Sequence, residues 1–270
     1  MKKRISDAKF TIGLSIVAFL FLIMLSSFFY LPYNPNEVSI KEKFLFFSAR
    51  HILGTDGLGR DVFCRVLISL RVSFFIGFSA ATFGFLTGTL LGSFGGFFGG
   101  KTDAVITKII DVQMAFPGIL MALMLVSILG PSMATTLLAL CIMSVPRFAR
   151  ISRGGFIKFR NSPLVLAQKA RGASVMRIMF LHVLPNIRGE LMVTYTLTFA
   201  VSIMNESGLS YLGLGVQPPA ASFGKMLSDA QSSIFQASWV ILIPAFFLAL
   251  LVIGFTLLSD GFISVQEGKS

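Results

Sequence analysis

Residues able to do bond chemistry are few in this chain, and they are scattered. His51 and His182 are the two histidines, Cys64 and Cys141 the two cysteines, and none has the spacing of a metal-binding motif. The run His51-Ile-Leu-Gly-Thr-Asp-Gly-Leu-Gly-Arg-Asp61 holds two aspartates among glycines, but the regular D-x-D-x-D-G…E order of a calcium loop is missing. Asp56 instead reads as the acceptor of an Asx-turn, with Gly54, Gly57 and Gly59 permitting the bends. No GxxxxGK[ST] occurs, so ATP is not expected to bind this chain through a Walker motif. No acid, base and nucleophile stand together as in an enzyme site. The expectation is a non-catalytic chain with no metal or cofactor of its own. The cysteines read as apolar packing residues.

The elements that carry these residues belong to a membrane. Mean hydropathy is +0.82, 54% of residues are hydrophobic and only 13% are charged. A soluble domain needs about a quarter charged residues to cover its surface. The net charge of +11 does not point to nucleic acid. The basic residues flank apolar runs, with no aromatic residues interleaved as base-stacking platforms. Anionic lipid and retention of basic loops on the cytoplasmic side account for the excess.

A membrane helix needs roughly 20 mostly apolar residues. Six candidates satisfy this: about 10–31, 71–98, 104–130, 132–150, 187–212 and 237–259. Lys2, Lys3 and Arg4 precede the first, which is too long for a signal-peptide core and lacks an A-x-A cleavage pattern, so it reads as a retained span. Charge then orients the chain as a multi-pass membrane protein with both termini, the turn at Lys101 and the Arg147–Arg188 loop in the cytoplasm. Residues 32–70 and 213–236 fall outside. The expected division is 1–31 for the N-terminus and first span, 32–70 for an extracytoplasmic segment, 71–260 for a five-helix core containing loop 147–188, and 261–270 for a cytoplasmic tail.

Within this all-α frame, Gly84, Gly88, Gly92, Gly96 and Gly100 recur every fourth residue, the spacing that lets a second helix backbone approach closely in lipid. Of these, Gly84, Gly88, Gly92 and Gly96 are the expected packing face. Pro117 should kink its helix and Pro131 should start one. Charge in a span costs at least about 2.5–3.5 kcal/mol, so Asp111 and Glu190 read as inter-helix hydrogen-bond partners. Met114, Phe116, Asn205 and Glu206 are candidates for a translocation path, with Met121 and Met124 as further soft lining.

The loop from Arg147 to Arg188 holds nine Lys or Arg residues and no acid. Asn161-Ser162-Pro163 signals a helix start, with Ser162 as N-cap and Pro163 in the first turn. Gly172 should end that helix, Ser174 should cap a second one through about Leu181, and Pro185 should close the element. Two short, basic, weakly apolar helices make a poor core but a good docking surface.

Leu166-Ala-Gln-Lys-Ala-Arg-Gly172 with Leu184-Pro185 resembles the EAA loop of binding-protein-dependent ABC importer permeases. Ala167, Gly172, Leu184 and Pro185 match, while Leu166 replaces the usual Glu and Gln168 the usual Ala. His51–Asp61 is similar to the H-x-L-G-T-D-x-x-G-R-D segment of the second permease subunit in dipeptide, oligopeptide and nickel importers. Glu206-Ser-Gly-Leu-Ser-Tyr-Leu-Gly-Leu-Gly-Val-Gln-Pro-Pro219 resembles its E-x-x-L-S-F-L-G-L-G-x-x-P-P segment, and Phe223–Asp229 its W-G-x-M-L-x-D, with Phe for Trp.

The resemblance implies the type I ABC importer permease fold, with six transmembrane helices and a cytoplasmic coupling-helix loop in a bacterial or archaeal cell membrane. It implies as partners a homologous permease subunit, two ABC ATPases that hold ATP and Mg, and an extracytoplasmic solute-binding protein. ATPase coupling would fall to Ala167, Lys169, Ala170, Arg171, Gly172, Ala173 and Pro185. Peptides are the leading substrate class and nickel or a metal–metallophore complex the alternative. An autonomous secondary transporter or channel is the reading from another class; it calls for an inverted repeat and a midplane ion site, and the sequence displays neither.

Overall fold

The computed structural model of the chain describes the backbone of residues 2–267 and the side chains of residues 8–263. The side chains of Lys2, Lys3 and Arg4, and residues 268–270 of the expected tail, lie outside the described residues. Ten α-helices account for most of the described chain: α1 (Lys2–Phe29), α2 (Val62–Phe98), α3 (Gly100–Ala115), α4 (Gly118–Leu129), α5 (Met133–Phe159), α6 (Pro163–Ala170), α7 (Val175–Arg177), α8 (Leu184–Tyr211), α9 (Phe223–Ala230) and α10 (Trp239–Glu267). A π-helical turn, Ile178–Val183, joins α7 to α8. Among the described residues there is no β-strand, only an isolated bridge between Thr55 and Asp61.

Ala8–Phe29, Val62–Phe98, Met133–Phe159 and Trp239–Ile263 are each long and apolar enough to cross a membrane. α3 and α4 pass the same test together but are bent by 83°. Pro117 lies in that break as the N-cap of α4, because it cannot donate the backbone bond a straight helix would require there. The fifth expected span, 187–212, corresponds to α8, which has the length at 28 residues but not the apolarity. Arg188, Glu190, Asn205, Glu206 and a series of Thr and Ser dilute it. By length and apolarity, then, four crossings are accounted for among the described residues, or five if α3 and α4 together make one.

Several expected boundaries move. α2 begins at Val62, not 71, because the Asp61 carboxylate caps it by accepting from the Cys64 N–H at 2.8 Å. α5 runs on to Phe159, so Arg147, Arg150, Arg153 and Lys158 belong to a helix rather than a loop. That extension survives because Phe148, Ala149, Ser152, Gly155 and Phe156 continue its buried face. Helix α10 likewise passes residue 260, where a tail was expected. Ser132, rather than Pro131, caps α5 through a reciprocal capping box with Thr135. Pro185 does not close an element; it sits in the first turn of α8, where a missing N–H is tolerated.

The bundle is organised on the contact of α2 with α5, which run parallel, residue numbers rising together along both helices. A Cβ added at Gly88 would stand 2.5 Å from the Val145 carbonyl oxygen, and one at Gly96 2.5 Å from that of Arg153. At Gly84 the obstruction would be the Ser144 side chain, and at Gly92 the Ala149 carbonyl oxygen. Buried serines then bond across the seam: Ser144 Oγ donates to Ala80 O at 2.8 Å and Ser152 Oγ to Thr89 O at 3.0 Å. Gly100 lies off this seam at the start of α3, with φ +56 and open space where a side chain would go.

α1 lies along α10 by the same device, with Gly13 against the Leu258 backbone and Gly254 against Ile16 and Val17. Phe74, Phe199 and Phe255 join α2, α8 and α10 in the main core. The expectation that the 163–183 segment is only weakly apolar fails. Val165, Ile178, Met179 and Val183 are fully buried with Phe148, Phe156 and Ile187, so this segment is seated on the bundle.

In an exposed helix, Gly→Ala stabilises by roughly 1 kcal/mol. At Gly92 the new methyl meets backbone that cannot rotate away, and overpacking of that kind costs about 1–3 kcal/mol. The expected outcome is that Gly92→Ala lowers the melting temperature of the detergent-solubilised chain. Gly154→Ala on α5, where nothing lies within 4 Å, should leave it unchanged or raise it. Equal responses of the two variants in a thermal melt would contradict the seam.

Candidate functional site

Three of the motifs read from sequence meet at the Asp61 end of the bundle. Asp56 makes the expected Asx-turn, its Oδ1 accepting from the N–H of Leu58 at 2.8 Å and of Arg60 at 3.0 Å. Its Oδ2 takes Arg60 Nε at 2.6 Å and lies 3.7 Å from Arg65 Nε. Arg60 also donates from Nη2 to Asp229 Oδ2 at 3.1 Å, and Lys225 Nζ pairs with Asp229 Oδ1 at 2.8 Å. The segment before α2 is thereby tied to α9. His51 is buried with Nδ1 2.8 Å from Asp61 Oδ2, on the same carboxylate that caps α2. That partner makes it a brace for the turn. Gly54 and Gly59 adopt φ of +72 and +74, and a Cβ at Gly59 would enter the Ser39 backbone.

The third motif seals this end. Glu206 is fully buried in α8, where Ser210 Oγ donates to its Oε1 at 2.6 Å and Ser207 Oγ lies 3.4 Å from Oε2. Ser210 Oγ in turn accepts from the Val216 N–H at 2.9 Å, which folds the chain back after the helix. α9 packs on this turn, with Gly224 against the Ser207 backbone.

Below this cap, a cavity of about 350 Å³ opens beside the bend between α3 and α4. Met114, Phe116 and Asn205 line it, together with Met121, and so do Gln113, Met143, Arg147, Thr198 and Ser202. Glu206 is not among the lining residues, and neither is Met124, so the structure gathers three of the four expected path residues. Gln113 Nε2 donates to the Ile142 carbonyl at 2.5 Å, holding the end of α3 against α5. Asp111 pairs with Arg150 at 3.3 Å across α3 and α5, whereas the Glu190 side chain is exposed. Arg147 and Gln113 are cavity residues that sequence reading missed. Their signal was masked by the strength of Arg147 as a charge marker.

At the opposite end, α6 starts as expected. Ser162 Oγ accepts from the Val165 N–H at 3.4 Å, Pro163 occupies the first turn, and Gly172 ends the helix with φ +78. Ser174 caps α7, but after one turn the chain widens into the π-turn, with the Leu184 N–H reaching back to Met179 O. Ala167, Lys169, Ala170, Arg171 and Gly172 are exposed, Ala173 is half-buried and Pro185 is exposed. Around them Leu164, Leu166, Val175, Met176 and Leu181 leave large apolar surfaces uncovered. Lys169 Nζ lies 5.7 Å from the Phe97 ring centroid, touching the end of α2. The segment is thus apolar on both sides: one side is anchored in the bundle and the other is open.

A family model described as binding-protein-dependent transport system inner membrane component matches residues 88–269. The dipeptide transport system permease protein DppC of Alkalihalophilus pseudofirmus is 41% identical over 222 residues, covering 82% of this chain and 73% of that protein. The oligopeptide transport system permease protein OppC of Bacillus subtilis is 36% identical over 258 residues, covering 96% and 85%. The glutathione transport system permease protein GsiD of Escherichia coli is 39% identical over 222 residues, covering 82% and 73%. Among solved structures, the inward-facing MetNI methionine ABC transporter matches with a TM-score of 0.60 at 18% identity, covering 73% of this chain and 93% of that one. That likeness is one of fold.

The buried charges of the cluster around Asp56 and Arg60 are mutually dependent. Removing one partner of such a pair costs about 3–5 kcal/mol, since it strands the other. Asp56→Ala leaves Arg60 with Asp229 alone, and Arg65, 1% exposed at its side chain, without its carboxylate. Limited proteolysis is expected to cut within residues 30–61 of that variant far faster than in the parent chain.

Proposed function

Because the chain belongs to the family of binding-protein-dependent transport system inner membrane components, we propose that it is one permease subunit of an ABC importer for di- and oligopeptides. It is a multi-pass membrane protein, and in this reading it performs no bond chemistry. α8 completes six crossings, with Thr198, Ser202 and Asn205 at the cavity and Glu206 buried among its neighbours. Both termini and the α6–α7 segment lie in the cytoplasm. A homologous permease subunit supplies the other half of the path. Two ATPase subunits hold ATP and Mg, and a solute-binding protein delivers substrate to the outer face of the cell membrane. The proposed division is a first span in α1, an extracytoplasmic segment ending at Asp61, and a five-span core from α2 to α10 whose cytoplasmic coupling loop follows the end of α5.

The observation that carries this reading is the α6–α7 shelf. It is rooted by Val165, Ile178 and Met179 in the core beneath α2 and α5, yet presents Leu166, Lys169, Arg171 and Met176 outward. A partner that moves the shelf must move the bundle. Nucleotide-driven closure of the ATPases would bias the bundle between outward- and inward-open states through this contact. Apolar Leu166 in place of the family's Glu means that its contact is made by burial, with Lys169 and Arg171 meeting acidic partner groups. Peptides are favoured over nickel because the similar proteins are named for dipeptide, oligopeptide and glutathione transport. Their identity spans most of this chain.

Gly172 has open space around its missing side chain, so substitution there strains only the backbone. Positive φ costs a β-branched residue roughly 1–2 kcal/mol, enough to reshape the shelf without unfolding the bundle. Gly172→Val is therefore expected to insert normally and lose most ATP-dependent uptake. Lys169→Glu with Arg171→Glu should weaken co-purification of the ATPase; unchanged co-purification and uptake would discard the charge contact. Cells lacking the chain should lose uptake of labelled dipeptide and keep uptake of nickel chelates. The reverse pattern would replace the substrate class.

A further inference from the structure

Arg147, Arg150 and Arg153 follow at three-residue intervals on α5, so they occupy neighbouring positions on one side of the helix. α3 supplies counter-ions to two of them. Asp103 takes Arg153 through Nε at 2.5 Å and Nη2 at 2.8 Å. Asp111 meets Arg150 at 3.3 Å. Beside Arg147 the same helix offers no acid. Gln113 is already spent on the Ile142 carbonyl, and Met114 follows it. Among the described residues Arg147 has neither an ion pair nor a hydrogen-bond partner. Of the residues that line the 350 Å³ cavity, it alone is charged.

The position is set back from the helix ends. Gly88 packs on Val145 and Phe148, which sets Arg147 level with a point about ten residues before the end of α2, roughly 15 Å along the helix. Arg147 is exposed at the open side of the cavity, and a guanidinium there presents a planar fork of donors that matches a carboxylate in two parallel bonds. The other walls suit variety. Met114, Met121 and Met143 offer unbranched, polarizable thioethers that repack around different shapes. Thr198, Ser202 and Asn205 offer hydrogen bonds of the kind a peptide amide accepts or donates. The volume lies within the roughly 300–1,000 Å³ range of small-molecule sites. Every linear peptide, whatever its side chains, carries one terminal carboxylate. One fixed cation with adaptable walls is a means of holding any of them.

We infer that Arg147 binds the C-terminal carboxylate of the peptide in transit through this cavity. The inference rests on the peptide-importer reading above and adds to it a residue and a chemical group. The cavity of this chain has no matching anion for the peptide ammonium, so that end is held elsewhere in the complete importer.

The test uses the whole importer in proteoliposomes with its binding protein, and compares Ala-Ala with its C-terminal amide at saturating concentrations. Rates are normalised to assembled complex, and the readout is the ratio of maximal uptake rates, acid over amide. Selection by the binding protein enters that ratio equally for parent and variant. Arg147→Gln is expected to lower the ratio about tenfold, the weight of a charge-assisted hydrogen bond, and Arg147→Lys to restore most of it. A ratio unmoved by Arg147→Gln overturns the inference and leaves Arg147 to a lipid phosphate or a carboxylate of the partner permease. Equal loss in the Gln and Lys variants overturns it too, since it would make the residue a packing element. Should the parent importer take up neither peptide, it is the proposed function that falls.

Discussion

The rest of the bundle depends on how closely α2 can lie against α5. In lipid, apolar area offers little to drive two helices together, because the acyl chains are as apolar as the side chains. What remains is dispersion between surfaces in full contact, and hydrogen bonds with no competing water. The glycines at 84, 88, 92 and 96 supply the first by removing every side chain between the α2 backbone and the carbonyls of α5. Ser144 and Ser152 supply the second. Once these two helices are fixed, Gly155 receives Ile187 of α8, and Phe156 receives the α6–α7 segment. The cavity is the space left where the α3–α4 bend departs from that pair.

Charge is distributed by the same economy. Near the Asp61 end, Asp56, Arg60, Arg65, Asp229 and Lys225 form one connected set in which each group is paired. Near the basic end, α3 gives its two aspartates to Arg150 and Arg153. Between these two regions the cavity wall is made of thioethers, hydroxyls and amides, with Arg147 as its single charge. A membrane protein tolerates an ionised group within its spans only beside water or a partner.

Much of this was legible from residue order because it is local. Ser162-Pro163, Gly172 and Ser174 act on backbone within one turn, and each behaves as its type dictates. The four-residue glycine spacing is likewise a property of one helix. Pro117 announced the break, though not its 83° angle. Partners distant in sequence were not legible: nothing in residues 51–61 names Asp229 as the acceptor for Arg60, 169 positions away. Helix ends failed where charge was taken for loop. Arg147, Arg150 and Arg153 read as a cytoplasmic loop, yet a helix accepts them when its other face carries Phe148, Ser152 and Phe156. Glu206 does not line the cavity, and the sequence could not foretell this, because polar neighbours look the same whether they line water or satisfy a buried carboxylate.

α2 has a mechanical meaning that its packing alone does not express. Its 37 residues make a rod roughly 55 Å long, clamped at one end by the Asp56–Arg60 cluster and abutting the α6 shelf near Phe97 at the other. With its backbone pressed on α5, the rod has no soft layer in which a push could dissipate. A tilt of only about 10° around the clamped end sweeps the far end through roughly 10 Å. The glycine seam thus carries motion from the shelf to the cavity with little loss: the level of Gly88, roughly 40 Å from the clamped end, would move by roughly 7 Å.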